Sequence, residues 1–133
     1  MIAGVADTHA VIWYLAPDPR LSSNARAFID SAFIVGNQVA ISTITLVEII
    51  YLIERSRIPA ETLSRLAREL TKPRPALVKT PLTLEVARTL SLVDTPQIPD
   101  MPDRIIAATA LHLKVPLISR DSKIMVSSII TIW

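Results

Sequence analysis

Short apolar segments, separated by longer stretches with helical spacing, constrain the fold of this chain most strongly. Five segments are predicted strands: Ile2–Ala6, Val39–Ser42, Leu77–Thr80, Pro116–Ser119 and Ser128–Ile132. The buried ones are apolar runs and not alternating patterns, which is typical of strands covered on both faces. Strands that alternate with helices indicate an α/β protein. We therefore expect a single α/β domain over residues 1–133, with a mainly parallel central sheet of four to five strands and helices on both faces.

Capping residues and prolines set the expected helices between these strands. The helices are predicted at Thr8–Leu15, Ser22 or Ser23 to Phe33, Thr43 or Thr45 to Arg55, Ala60–Thr71, Leu82–Val93 and Asp103–Lys114. The third of them is apolar nearly all round, which predicts that it is buried. Residues 94–100 are expected to form a loop, and residues 121–126 a turn or a short helix.

Composition excludes several classes of protein. Half of the residues are hydrophobic and 20% are charged, so the chain is neither disordered nor fibrous. It has no cysteine, and its only glycines are Gly4 and Gly36, which excludes thiolate zinc sites, disulfides and glycine-rich phosphate loops. No apolar run reaches the length of a membrane-spanning helix, and the start of the chain lacks the features of a signal peptide. We expect a soluble cytoplasmic protein with no membrane partner.

Acidic residues occur at positions where the fold should bring them together. Asp7 ends the first strand and Asp121 follows the fourth, and the carboxyl ends of parallel strands share one edge, where ligands bind. Glu48 lies in the apolar helix that starts after the second strand. An ionised carboxylate in such a helix has to be paired, bound to a cation or turned to a cleft. Asp103 opens the helix before the fourth strand, and Asp100 precedes it by three residues.

Each of these acids also has an alternative role that the sequence leaves open. Asp7 and Asp121 are also suited to turns at strand ends, and Glu48 could form a buried ion pair with an arginine such as Arg104. Asp103 could simply cap its helix. Asp100 is the better cap if the helix begins at Met101.

Four converging carboxylates would repel one another strongly. At an effective dielectric constant of about 20, two unit charges 4 Å apart repel by about 4 kcal/mol. A hard divalent cation relieves this repulsion, and oxygen ligands favour Mg²⁺ or Mn²⁺. Apart from these four acids, the chain has eight acidic residues and fourteen Lys and Arg residues, so its remaining charge is positive. An acidic metal pocket beside a basic surface suits a polyanionic substrate.

Three motifs carry a resemblance to a known family. They are VADTHAVIWYL at 5–15, ISTITLVEII at 41–50 and PDRIIAATALHLKVPLISRD at 102–121. In this order they resemble the PIN domain and, more narrowly, the VapC toxins of VapBC toxin–antitoxin pairs. The resemblance covers essentially the whole chain.

The resemblance implies a function and a set of site residues. The implied catalytic and metal-binding acids are Asp7, Glu48, Asp103 and Asp121. The residues implied to support them are Thr8, Ser119 and Asp100, the first two by orienting a carboxylate or a water. The implied activity is that of a Mg²⁺- or Mn²⁺-dependent endoribonuclease with an RNA substrate, a cognate antitoxin and a tendency to form homodimers. The alternative is a non-catalytic PIN-type module that binds RNA or protein, although all four acids are present.

Overall fold

A parallel sheet forms the centre of the protein. The computed structural model describes residues 1–93, 98–121 and 129–133. Its strands are β1 (Ile2–Ala6), β2 (Gln38–Ser42), β3 (Leu77–Thr80), β4 (Leu117–Ile118) and β5 (Thr131–Ile132). All neighbouring strands pair in parallel in the order β3-β2-β1-β4-β5, which confirms the predicted α/β class. The order reverses between β1 and β4, the place where ligands bind in open parallel sheets.

Helices cover both faces of this sheet. They are α1 (Thr8–Leu15), α2 (Ser23–Ile34), α3 (Thr43–Glu54), α4 (Glu61–Leu70), α5 (Leu84–Thr89) and α6 (Met101–Leu113), with a 3-10 turn at Leu90–Leu92. Successive strand residues point to opposite faces. Thus Ala6 and Ile41 join the core formed with α1 to α4, whereas their neighbours Val5 and Ala40 join the core formed with α5 and α6.

Two strands pass directly into helices at the carboxyl edge of the sheet. Asp7 follows β1 and caps α1, because its side chain accepts a hydrogen bond from the Ala10 amide. Ser42 is both the last residue of β2 and the N-cap of α3. Helix N-termini and strand ends therefore meet at one edge, where they place the first turns of α1 and α3 side by side.

The structure corrects the prediction that α3 is buried. Only Thr45 and Ile49 of this helix are buried, while Val47 and Tyr51 are 60% and 50% exposed. One side of the helix packs against β2 and against helices α1, α4 and α6, and no described residue covers the other side. Hydrophobic content alone did not distinguish these two faces.

Several element boundaries also differ from those predicted. Thr83 caps α5, so this helix starts two residues later than expected. Asp100 caps α6, so that helix starts two residues earlier. Strand β5 starts at Thr131, three residues later than expected. Three predicted parts lie outside the described residues: Ser128 at the start of that strand, residues 94–97 of the predicted loop at 94–100, and residues 122–126 of the predicted turn. Within the described ranges, no helix is both long and apolar enough to cross a membrane.

Gly4 allows α2 to pack closely on β1. A Cβ atom at this position would lie 2.9 Å from Phe28 Cε1 and 3.1 Å from the Pro116 carbonyl oxygen. The aromatic ring and the backbone of the neighbouring strand would both have to shift.

We therefore expect Gly4→Ala to lower the free energy of unfolding by about 1–3 kcal/mol, the usual cost of overpacking a core. Denaturant titration of the folded protein measures this loss. In a Phe28→Leu background the additional loss caused by Gly4→Ala should be smaller, because the ring that collides is gone. An equal loss in both backgrounds would contradict this explanation.

Candidate active site

A cavity of about 620 Å³ lies at the carboxyl ends of β1 and β4, where the strand order reverses. Five carboxylic acids line it: Asp7, Glu48, Asp100, Asp103 and Asp121. The structure thus brings together the four acids chosen from the sequence, although they are up to 114 positions apart. The additional acid, Asp100, lines the cavity as well.

Glu48 is held by hydroxyl groups. The Thr8 hydroxyl donates a hydrogen bond of 2.5 Å to Glu48 Oε1, and it lies 3.2 Å from the Thr45 hydroxyl. Both threonines are buried. The alternative ion pair with Arg104 is wrong, since Arg104 donates instead to the carbonyl oxygen of Leu90 and the described residues contain no Glu48–Arg104 ion pair.

The two acids at the start of α6 have different roles. The Asp100 side chain caps the helix by accepting a hydrogen bond from the Asp103 amide at 3.1 Å. Capping by Asp103 itself is therefore wrong. Its half-buried carboxyl group lies in the first turn of α6 and lines the cavity.

Ser119 connects the acids that follow the two central strands. Its buried hydroxyl accepts a hydrogen bond from the Asp121 amide at 3.1 Å. The same hydroxyl interacts with the Asp7 carboxyl group and lowers its pKa. One small side chain at the end of β4 therefore contacts both segments.

Burial and mutual repulsion make the acids resist ionisation. Burial raises the pKa of Asp7, Glu48 and Asp103 above their ordinary values. For Asp103 the pKa rises to about 7, first through burial and then through the charges of the other acids in the cavity. Each of the three pKa values is raised further by at least one neighbouring acid, so the carboxyl groups act on one another as members of a single site.

The donor set suits a hard divalent cation. All the donors are carboxylate and hydroxyl oxygens, which favour Mg²⁺ or Mn²⁺ over zinc. Within residues 1–93, 98–121 and 129–133, no group of three acidic or histidine side chains is arranged so that it could hold a metal ion directly. Mg²⁺ usually keeps several of its waters, so the acids that line the cavity would contact it partly through water.

Sequence reasoning missed five other residues that line the cavity: His9, Trp13, Arg20, Arg120 and Trp133. Arg120 and Trp133 come shortly after the ends of β4 and β5. The strand-end argument that found Asp7 could therefore have found them too. Arg20 lies in the connection between α1 and α2, and no sequence signal links it to the site.

Comparison with known proteins identifies the family of this chain. The sequence matches the PIN domain over residues 5–126. The chain belongs to the PIN domain family. A search of curated protein sequences finds no match.

Solved structures share this PIN fold along almost the whole chain. VapBC2 from Rickettsia felis, bound to a DNA fragment from their promoter, has a TM-score of 0.71 at 19% identity, over 98% of this chain and 97% of that one. A toxin–antitoxin complex from Klebsiella pneumoniae has a TM-score of 0.62 at 22% identity, over 95% and 92%. FitAcB from Neisseria gonorrhoeae has a TM-score of 0.60 at 21% identity, over 96% and 95%. These likenesses show a shared fold.

Removing one charge from this site should stabilise the metal-free PIN domain. Between its ordinary pKa of 3.8 and about 7, Asp103 binds more protons in the folded state than in the unfolded state. Wild-type stability in EDTA should therefore fall as the pH rises through this range. Asp103→Asn should raise the free energy of unfolding at about pH 8 by about 1–2 kcal/mol, after allowance for solvent screening of a half-buried group.

Thermal unfolding in EDTA across this pH range measures the effect. Glu85→Gln, in the exposed first turn of α5, is the control and should change stability by no more than about 0.5 kcal/mol. An Asp103→Asn variant that is no more stable than the wild type at about pH 8, with the same pH dependence, would contradict the repulsion account.

Proposed function

We propose that this PIN domain is a Mg²⁺- or Mn²⁺-dependent endoribonuclease and the toxin of a type II toxin–antitoxin pair. The observation that carries the proposal is the convergence of four acids in one cavity at the reversal of the strand order. The acids proposed to be catalytic and to hold the metal are Asp7, Glu48, Asp103 and Asp121. Membership of the PIN family and the fold shared with VapBC2 support the proposal.

The proposed reaction is hydrolysis of an RNA phosphodiester bond. Asp7, Glu48, Asp103 and Asp121 would hold a divalent cation, which would lower the pKa of the attacking water and offset the charge that develops on the phosphate. The water oxygen forms a bond to phosphorus, the bond from phosphorus to the 3′ oxygen breaks in line, and the 3′ oxygen takes up a proton. The products are a 5′-phosphate and a 3′-hydroxyl.

Hydroxyl groups keep the catalytic acids in position. Thr8 donates to Glu48, which fixes one oxygen of a carboxylate that lines the cavity. Ser119 contacts both Asp7 and the Asp121 backbone, so it holds the ends of β1 and β4 at a fixed separation. Asp100 fixes the start of α6 and adds negative charge beside Asp103. Such supporting groups commonly change metal affinity or activity by about 10- to 100-fold.

The proposed partners are RNA, a cognate antitoxin and a second copy of this chain, in the cytoplasm. The solved relatives from Rickettsia felis and Klebsiella pneumoniae are toxin–antitoxin assemblies, which supports an antitoxin partner. Exposed apolar side chains on α3, among them Val47 and Tyr51, are the kind of surface that a protein partner covers.

Cleavage of a labelled, structured RNA pool tests the proposed activity. Purified protein should cut the pool with Mg²⁺ or Mn²⁺ and stop in EDTA. Glu48→Gln and Asp7→Asn should each lose about 100-fold or more in rate, the scale on which one electrostatic group at a reacting centre matters.

Glu54→Gln is the matched control, because Glu54 lies on the same helix as Glu48 but outside the cavity and exposed. Its cleavage rate should equal that of the wild type. Cutting that persists in EDTA, or that leaves 2′,3′-cyclic phosphate ends, would overturn the mechanism. RNA binding with no cutting under any metal would favour the non-catalytic module instead.

A further inference from the structure

The cavity with the five acids also has a basic and aromatic part that the proposed chemistry does not use. Arg20 and Arg120 both lie over the indole ring of Trp13, with guanidinium carbons 5.1 and 4.6 Å from its centroid. Trp133 contacts the same indole edge-on, with 5.9 Å between ring centroids. Both arginines and both tryptophans line the cavity.

Trp13 provides a rigid support for the two charges. It is only 3% exposed, and it belongs to the core formed by α1 and its neighbours. A guanidinium group over an indole face gains about 0.5–1 kcal/mol at an exposed site, and more where water is excluded. Because both groups lie close to one centroid, their charges are less than about 10 Å apart. Two distant segments of the chain thus place like charges within about 10 Å of each other.

These charges do not serve to neutralise the acids. Arg20 forms its ion pair with Asp18, at 2.7 Å, and no described carboxylate forms an ion pair with Arg120. The groups that lower the pKa of Asp7 and Glu48 are hydroxyls, a backbone amide and His9. The charge of Arg120 is therefore available to a bound molecule that carries negative charge, whereas Asp18 already pairs with Arg20 through two hydrogen bonds.

We propose that Arg120, supported by Trp13 and accompanied by the Asp18-bound Arg20, forms a phosphate-binding subsite that holds the RNA backbone next to the bond to be cut. This proposal rests on the proposed nuclease function and adds the means by which the strand is held. The planar guanidinium group recognises phosphate oxygens in pairs. The five acids repel the phosphates of an RNA strand that enters the cavity. The subsite offsets this repulsion by attracting the phosphates next to the bond to be cut.

The test is a binding titration in which no RNA is cut. The probe is a fluorescein-labelled single-stranded RNA of random sequence, about ten nucleotides long, within the usual footprint of a single-strand groove. Binding is measured in EDTA and again in Ca²⁺, at several salt concentrations, and a gel verifies that the RNA stays intact. Arg120→Gln should weaken binding about 3- to 10-fold and lower the slope of log K against log salt by about 1.

A matched control separates this subsite from general surface charge. Arg74 lies over Phe33 with a similar separation of 5.2 Å, but it precedes β3 and therefore lies at the opposite edge of the sheet. Arg74→Gln should bind RNA within about two-fold of the wild type. Arg120→Lys keeps the charge but not the planar fork, so its affinity should fall between those of Arg120→Gln and the wild type.

Tryptophan fluorescence gives a second readout in the same samples. Trp13 and Trp133 are the only tryptophans of the chain, and both line this cavity. Unlabelled RNA should change their emission in the wild type, and the concentration needed should increase in Arg120→Gln. This measurement also verifies that the variant keeps a folded aromatic cluster.

The proposal would be overturned if Arg120→Gln bound RNA with the affinity and salt slope of the wild type. An equal loss of affinity in Arg74→Gln would overturn it too, as would the absence of RNA binding by the wild type in both EDTA and Ca²⁺. Failure of the nuclease function has a different signature. RNA would then bind through Arg120 but remain uncut with Mg²⁺ or Mn²⁺. If the wild type cuts RNA and Arg120→Gln cuts it with an unchanged KM, the subsite fails and the nuclease function stands.

Discussion

Repulsion among carboxyl groups in one cavity is the constraint on which the rest of this site depends. Three of these groups are at least half-buried, and their pKa values are raised by burial and by one another. A fold tolerates this only where other interactions hold the acids in place. Asp7 is fixed as the cap of α1, and Glu48 is fixed by the Thr8 hydroxyl. The free energy that the site loses through repulsion becomes affinity for whatever positive charge enters it.

The sheet makes such convergence possible. Strands β1 and β4 are neighbours and end at the same edge of the sheet. Strands β2 and β3 lie on one side of β1, and strands β4 and β5 lie on its other side. Segments that are far apart in sequence therefore leave the sheet at the same place. Apolar packing on both faces, through Val5 and Ala6 among others, supplies the stability that an electrostatically unfavourable edge requires.

Local patterns predicted the strands and the helices and indicated the four acids, and the family resemblance decided between the alternative roles of these acids. Asp7 follows an apolar run, and Glu48 is a charge within an apolar helix. The role of Asp103 depended on where α6 begins, and only the cap formed by Asp100 decided it. The exposed face of α3 and the convergence of Arg20 and Arg120 on Trp13 depend on tertiary packing. No pattern within one segment contains that information.

The measurement that tests the central claim most directly is Mn²⁺ binding, followed by electron paramagnetic resonance of the free ion. Wild-type protein should bind about one or two ions per chain. Glu48→Gln and Asp103→Asn should lose or greatly weaken this binding, while Glu54→Gln should bind as the wild type does. Equal binding by all of these proteins, or no binding by the wild type, would contradict the account of a carboxylate metal site.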